Sequence, residues 1–175
     1  MGPQRTTQRD VPEGSERPDG FGVAVVREEG QWRCTALKSA ALSSLAAAET
    51  ELRELRSSGA MFGLLDIDDE FFVIVRPAPA GTRLLLSDAT AALDYDIAYE
   101  VLENLEIDVD EDELEESDPF EEGDLGVLAD LGLTEGVLGV ILADVDLYAD
   151  EQLIRIAREM GFADQLSAII DKFDR

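Results

Sequence analysis

Carboxylates are the residues of this chain whose number and spacing suggest chemistry, and they crowd most densely in "ENLEIDVDEDELEESDPFEEGDLG", residues Glu103 to Gly126. Such a run can ligate a hard cation, imitate a phosphate backbone, or simply keep a tether solvated. A calcium loop needs ligands at positions one, three and five, glycine at six, and a bidentate glutamate at twelve. A loop opening at Asp108 gains Asp110 and Asp112, but puts Glu113 at the glycine position and Pro119 at the twelfth. A loop opening at Asp110 puts Leu114 at position five, which is worse. Both frames fail. The expectation is a flexible acidic linker over residues 108–124 without a shaped metal site. Its carboxylates Asp108, Asp110, Glu111, Asp112, Glu113, Glu115 and Glu116 are then the expected partner contacts.

Two smaller groups invite a catalytic reading: Asp94 and Asp96 beside Tyr95, and Asp66, Asp68 and Asp69. Paired carboxylates perform acid–base catalysis where burial drives their pKa values apart. Here they fall at an expected helix start and an expected turn, where aspartate is favoured for backbone reasons. Neither group has a nucleophile or a cation close in sequence. Both read as structural. The chain has no histidine, which removes Ser-His and Cys-His nucleophiles and the commonest metal ligand. Cys34 is the single cysteine, so a zinc site of the usual Cys and His ligands cannot form. It reads as a small buried apolar residue. No P-loop or dinucleotide-type glycine loop is present. The expectation is a protein without catalytic residues, metal or cofactor.

Charge narrows the partners further. The 175 residues carry 14 Lys plus Arg against 40 Asp plus Glu, a formal net charge of -26. From Leu84 to Ile154 no basic residue occurs. Such a field repels nucleic acid and anionic membranes and favours basic protein partners. The terminal segment "DEQLIRIAREMGF" has Arg155 and Arg158, but acid surrounds them, so it is no DNA-recognition helix. Mimicry of nucleic acid, which would inhibit some nucleic-acid-binding protein, needs carboxylates fixed on ordered structure. The densest stretch has few apolar residues to hold it, so a tether is the simpler reading. The lack of an apolar N-terminal stretch or bilayer-length run fits a cytoplasmic protein.

The elements that must carry these groups follow from apolar spacing. Residues 1–19, with Pro3, Pro12 and Pro18, read as a disordered tail. Strands are predicted at Phe21 to Arg27 and Trp32 to Leu37, flanking the turn residues Glu28 to Gln31. A helix follows, with Leu45, Ala48, Leu52 and Leu55 on one face, Ser43 or Ser44 as its cap and Gly59 as its end. Three more strands are "MFGLLDI", "FFVIVRP" and "TRLLLS". The next helix carries Leu93, Ile97, Val101 and Leu105. The prediction for residues 20–107 is an α+β domain with a five-stranded antiparallel sheet in β-β-α-β-β-β-α order, which is similar to profilin-type and roadblock-type domains in architecture only. Residues 125–175 read as three short helices, with Asp150 available to cap the middle one. So small a helical unit must pack on the sheet domain or on a partner.

The stretch "RLLLSDATAALDYDIAYEVLENL", the acidic run, then "LGVLADLGL" and "DLYADEQLIRIAREMGF", resembles the actinobacterial tRNA adenosine deaminase-associated proteins. The resemblance spans about Phe21 to Phe173. It implies a cytoplasmic bacterial protein accessory to the tRNA-editing deaminase, with no established activity to carry over. The chain is not the deaminase itself, because zinc deaminases use H-x-E and P-C-x-x-C and this chain has neither.

Overall fold

A computed structural model describes residues 19–55, 57 and 59–173. The tail expected over residues 1–19 lies, apart from Asp19, outside them. Strands β1 (Gly20–Glu28) and β2 (Gln31–Ala36) form a hairpin that turns through Glu29 and Gly30, both at positive φ. That pair of left-handed residues matches the twist of the flanking strands. Helix α1 (Leu45–Glu54) starts at Ser44, whose hydroxyl accepts the Ala47 amide at 3.1 Å. It ends before Gly59, which was expected to stop it. Gly59 instead lies so close to the Arg27 carbonyl that an added Cβ would come within 2.0 Å of it. Strands β3 (Ala60–Ile67), β4 (Phe71–Ala78) and β5 (Gly81–Leu86) then run as a meander, followed by α2 (Asp96–Asn104).

The sheet has six strands rather than five, in the order β2-β1-β3-β4-β5-β6 with every pair antiparallel. The sixth, β6 (Glu122–Gly123), pairs with Leu85 and Leu86 and lies inside the segment expected to be a linker. Gly123 permits this, for its φ is +116° and a Cβ would sit 2.3 Å from the Leu84 carbonyl oxygen. The same segment contains α3 (Glu111–Glu116). Asp110 caps it by accepting the Asp112 amide at 3.0 Å, and Leu114 buries its side chain in the core of the first layer, with 8% of its surface exposed. The linker expectation for residues 108–124 is therefore corrected. One buried leucine, a cap and a short edge strand give the run structure despite its charge.

Side chains alternate between the two sides of the sheet, and both sides are covered. Ala24, Leu65, Ile67, Val73, Val75, Leu84 and Leu86 meet α1, α2 and α3. Phe21, Val23, Val25, Phe62, Leu64, Phe72, Ile74 and Leu85 meet α4 (Glu135–Ala143), α5 (Ala149–Met160) and α6 (Ala163–Phe173). This explains why β3 and β4 read as nearly unbroken apolar runs: strands covered on both faces need apolar residues at every position. Trp32 packs on Phe162 with ring centroids 5.0 Å apart, beneath the α5–α6 junction.

Two arginines fix the edge where the chain returns. Arg76 makes two hydrogen bonds to the Asp130 carboxylate, at 2.5 and 2.9 Å, and a third to the Val127 carbonyl. The first of these bonds holds the Asp130 carboxyl below its usual range. Arg83 reaches Asp124 at 2.7 Å and the Gly126 carbonyl at 2.9 Å.

Leu114 distinguishes a packed helix from a tether. Leu114→Ala should lower stability by about 2 kcal/mol in urea unfolding, the low end for a buried leucine because the site is peripheral. Glu115→Ala on the exposed side should change it by no more than ~0.5 kcal/mol. Replacing residues 108–124 with a neutral spacer should likewise destabilise the chain. Equal stability for Leu114→Ala and the parent would restore the tether.

Candidate functional site: a carboxylate-lined turn

The turn between β3 and β4 stands where the two helical layers meet at one end of the sheet. Asp68 and Asp69 occupy its centre with φ of 55° and 60°, and the Glu70 amide closes it onto the Ile67 carbonyl at 3.0 Å. Aspartate tolerates this left-handed backbone because its short side chain bonds locally. Asp66 does so here, accepting the Asp69 amide at 2.8 Å.

Each carboxylate of the turn reaches a different element. Asp68 accepts the Asp19 amide and the Tyr95 hydroxyl, both at 2.6 Å. Glu70 accepts the same hydroxyl at 3.1 Å. Tyr95 precedes α2 and packs its ring on Phe71, so it ties the turn to the first layer. Asp69 ties it to the second. Its carboxylate accepts the Asp150 amide at 2.9 Å, and its carbonyl accepts the Ala149 amide at 3.3 Å. These amides belong to the first turn of α5, whose N–H groups lack partners within the helix and attract negative charge. Asp69 thus caps α5 from 81 residues away. Asp150, expected to cap this helix, stands inside its first turn, and the Tyr148 amide donates to Glu151 at 2.9 Å.

Asp66 is 2% exposed, the one buried charged residue among those described. Burial, then the neighbouring Asp69 charge and hydrogen bond, pushes its carboxyl up to about 8, so it is protonated at neutral pH. Burial and a hydrogen bond with Asp69 also raise the Asp150 carboxyl. Burial first, then bonds to Asp68 and Glu70, holds the Tyr95 phenol well above its ordinary value. Among the described residues, the ion pairs are Glu28–Arg33, Arg76–Asp130, Arg83–Asp124 and Asp144–Arg155. None of them neutralises the turn.

Two recesses flank it. One of 420 Å³ lies against Asp19, Asp66, Asp150, Phe21, Ile170 and Phe173. The other, of 320 Å³, joins Asp68, Asp69 and Glu70 to Val145, Leu147 and Tyr148. Val145 is 80% exposed and Tyr148 67%, large values for side chains of their kind.

The candidates from sequence are placed as follows. Asp66, Asp68 and Asp69 do come together, joined by Tyr95, whereas Asp94 and Asp96 flank the start of α2 without entering the cluster. Asp108 precedes α3, Asp110 caps it, and Glu111, Asp112, Glu113, Glu115 and Glu116 project from it, all exposed. Burial pushes the Cys34 thiol up to about 12, so it stays protonated. Val145, Leu147, Tyr148 and Asp150 were not singled out as site residues. Their signal was faint: apolar residues in "ADVDLYAD", between two helical patterns. Among the described residues, no group of three or more His, Cys, Asp or Glu is arranged to hold a metal ion, and no helix is long and apolar enough to cross a membrane.

The chain is an antiparallel α+β protein whose sheet is covered by helices on both faces, with an acidic turn beside exposed apolar side chains. Residues 20–163 match the family described as Rv3753c-like tRNA adenosine deaminase-associated protein. The chain is 71% identical over 175 residues to protein Rv3753c of the actinobacterium Mycobacterium tuberculosis, an alignment covering 100% of both chains. It belongs to that tRNA adenosine deaminase-associated family. No solved structure matches it, so the profilin-type and roadblock-type analogy rests on element order alone.

The acidic cluster makes stability fall as pH rises. Below the ordinary aspartate value of 3.8 both states hold the Asp66 proton. Between there and about 8 the unfolded chain releases it while the native state retains it, so stability drains by at most about 1.4 kcal/mol per pH unit. Above that range both states are ionised, and Asp66 sits charged beside Asp69, Asp150, Asp68 and Asp19. Asp66→Asn keeps the acceptor and stays neutral. Its melting temperature should exceed the parent's at pH 8, and the gap should close by pH 4. Parallel curves across that range would refute a proton on Asp66.

Proposed function

We propose that the protein is a non-catalytic accessory to the tRNA adenosine deaminase for which its family is named, acting in tRNA wobble editing by protein–protein contact in the bacterial cytoplasm. The carrying observation is the pairing of exposed apolar side chains, Val140, Val145 and Tyr148, with a surface of net charge -26. Apolar residues set in a field of one sign suit a protein partner of the opposite sign. A deaminase surface that receives tRNA is basic by necessity, because it must accept a phosphate backbone. An acidic chain docks beside such a surface without needing chemistry of its own. The family membership supports the choice of partner.

A second reading, an acidic mimic of nucleic acid that inhibits some other nucleic-acid-binding protein, is favoured by one feature. Helix α3 presents Glu111, Asp112, Glu113, Glu115 and Glu116 from ordered backbone anchored by Leu114. The two readings differ in salt dependence. Mimicry rests on charge and weakens steeply as salt rises, whereas a surface with apolar contacts persists.

Titration calorimetry with the purified deaminase of the same organism tests the proposal. A saturable complex at 50 mM salt that keeps most of its affinity at 300 mM is expected, with deaminase chemistry abolished only by removing the enzyme. No binding at 50 mM salt would refute the partner. Binding that vanishes at 300 mM and is competed by tRNA would move the weight to mimicry.

A further inference from the structure

The recess between the β3–β4 turn and the loop before α5 has one acidic wall and one apolar wall. Asp68, Asp69 and Glu70 supply the first, and Val145, Leu147 and Tyr148 the second, around 320 Å³. We propose that this recess is the docking site for an arginine-bearing segment of the basic partner protein, the guanidinium meeting the turn while its stem and an adjoining apolar residue lie on Val145 and Tyr148. The inference rests on the accessory reading above and names the surface it uses.

Four features of the recess select this occupant. The turn carboxylates have no Lys or Arg partner among the described residues, although three of the four described ion pairs lie elsewhere on the sheet or its edge and the fourth occupies Asp144. Each carboxylate oxygen has two lone pairs, so Asp68 retains acceptor capacity after receiving the Asp19 amide and the Tyr95 hydroxyl. A planar guanidinium forks across carboxylates in a way an ammonium cannot. Tyr148 offers a ring face for the cation, and the methylene stem covers apolar side chains otherwise left in water. A bare metal ion has no use for the apolar wall, nucleic acid is repelled, and a second copy of this chain carries the wrong charge.

The geometry also separates this recess from α3. Both are acidic, but α3 projects carboxylates alone, with its one leucine buried. The turn pairs carboxylates with exposed apolar surface and holds them by bonds to Tyr95 and α5. Rigid placement of both kinds of contact is what discriminates a specific site from a general field.

The test titrates the ¹⁵N-labelled full chain with a synthetic peptide alternating arginine and leucine, and with a copy carrying glutamine for arginine. Amide shifts should centre on residues 66–70 and 144–150, and only with the arginine peptide. Glu70→Lys, and the double change Val145→Ala with Tyr148→Ala, should each weaken binding about tenfold. Glu116→Lys makes the same change in net charge on α3 and should weaken it less than about threefold. All four positions are exposed, so the melting temperature reports whether folding is kept, and Glu70→Gln gives an intermediate loss if the contact is ionic. Shifts centred on residues 108–118, equal losses from Glu70→Lys and Glu116→Lys, or no saturable binding by the peptide would each overturn the site. Against the deaminase, a parent that binds while Glu70→Lys binds equally well removes this surface and leaves the accessory reading standing. A parent that does not bind removes that reading, and the peptide titration still decides the recess.

Discussion

The structure depends on the β3–β4 hairpin being apolar on both sides. Phe62, Leu64, Phe72 and Ile74 point to one helical layer, while Leu65, Ile67, Val73 and Val75 point to the other. Each of these side chains is fully removed from water. Burial of that kind contributes about 1.5–3 kcal/mol per large side chain before entropy is set against it. A chain with 40 acidic residues needs such a centre, because self-repulsion among its carboxylates opposes compaction throughout. The two layers are therefore held by one hairpin, and each becomes a roof for the opposite face of the same strands.

Charge is arranged around this core rather than within it. Most carboxylates among the described residues stay exposed, and three arginines bond where the chain changes direction. Arg83 and Arg76 clasp Asp124 and the Val127–Asp130 stretch as the chain passes from β6 to the second layer. Arg155 holds Asp144 at the α4–α5 corner. The exception is Asp66, buried and protonated beside the turn. Next to it, the Asp69 carboxylate and carbonyl accept the first amides of α5, where negative charge is favourable.

The β3–β4 turn is fixed by Tyr95 from the first layer and by Ala149 and Asp150 from the second, so its carboxylates are held before any partner arrives. Preorganised acceptors lose less freedom on association than acceptors on a tether. The acidic run of residues 108–124 has a different part. Its exposed carboxylates add to the negative field of the surface, while the buried Leu114 and the pairing of β6 with β5 hold it to the first layer.

Much of the scaffold was legible from sequence. Strands β1 to β5, their antiparallel pairing and the helices α1, α2 and α4 to α6 follow from apolar period and turn residues, which are local signals. The missing histidine and single cysteine rule out His-based nucleophiles and a zinc site of the usual Cys and His ligands, because composition needs no fold to act. Two elements escaped. Helix α3 has six residues with one buried leucine, and β6 has two residues around a glycine, so neither offers a repeat long enough to register. The site was half legible. Asp66, Asp68 and Asp69 stood out as a turn, but their partners Tyr95 and Asp150 lie 27 and 81 residues away from the atoms they bond. Residue composition and spacing were enough to set the make-up of the two layers and the sign of the surface. That both layers close on one hairpin and meet at its turn emerges in the folded chain alone, because long-range hydrogen bonds and shared burial carry no periodicity along the sequence.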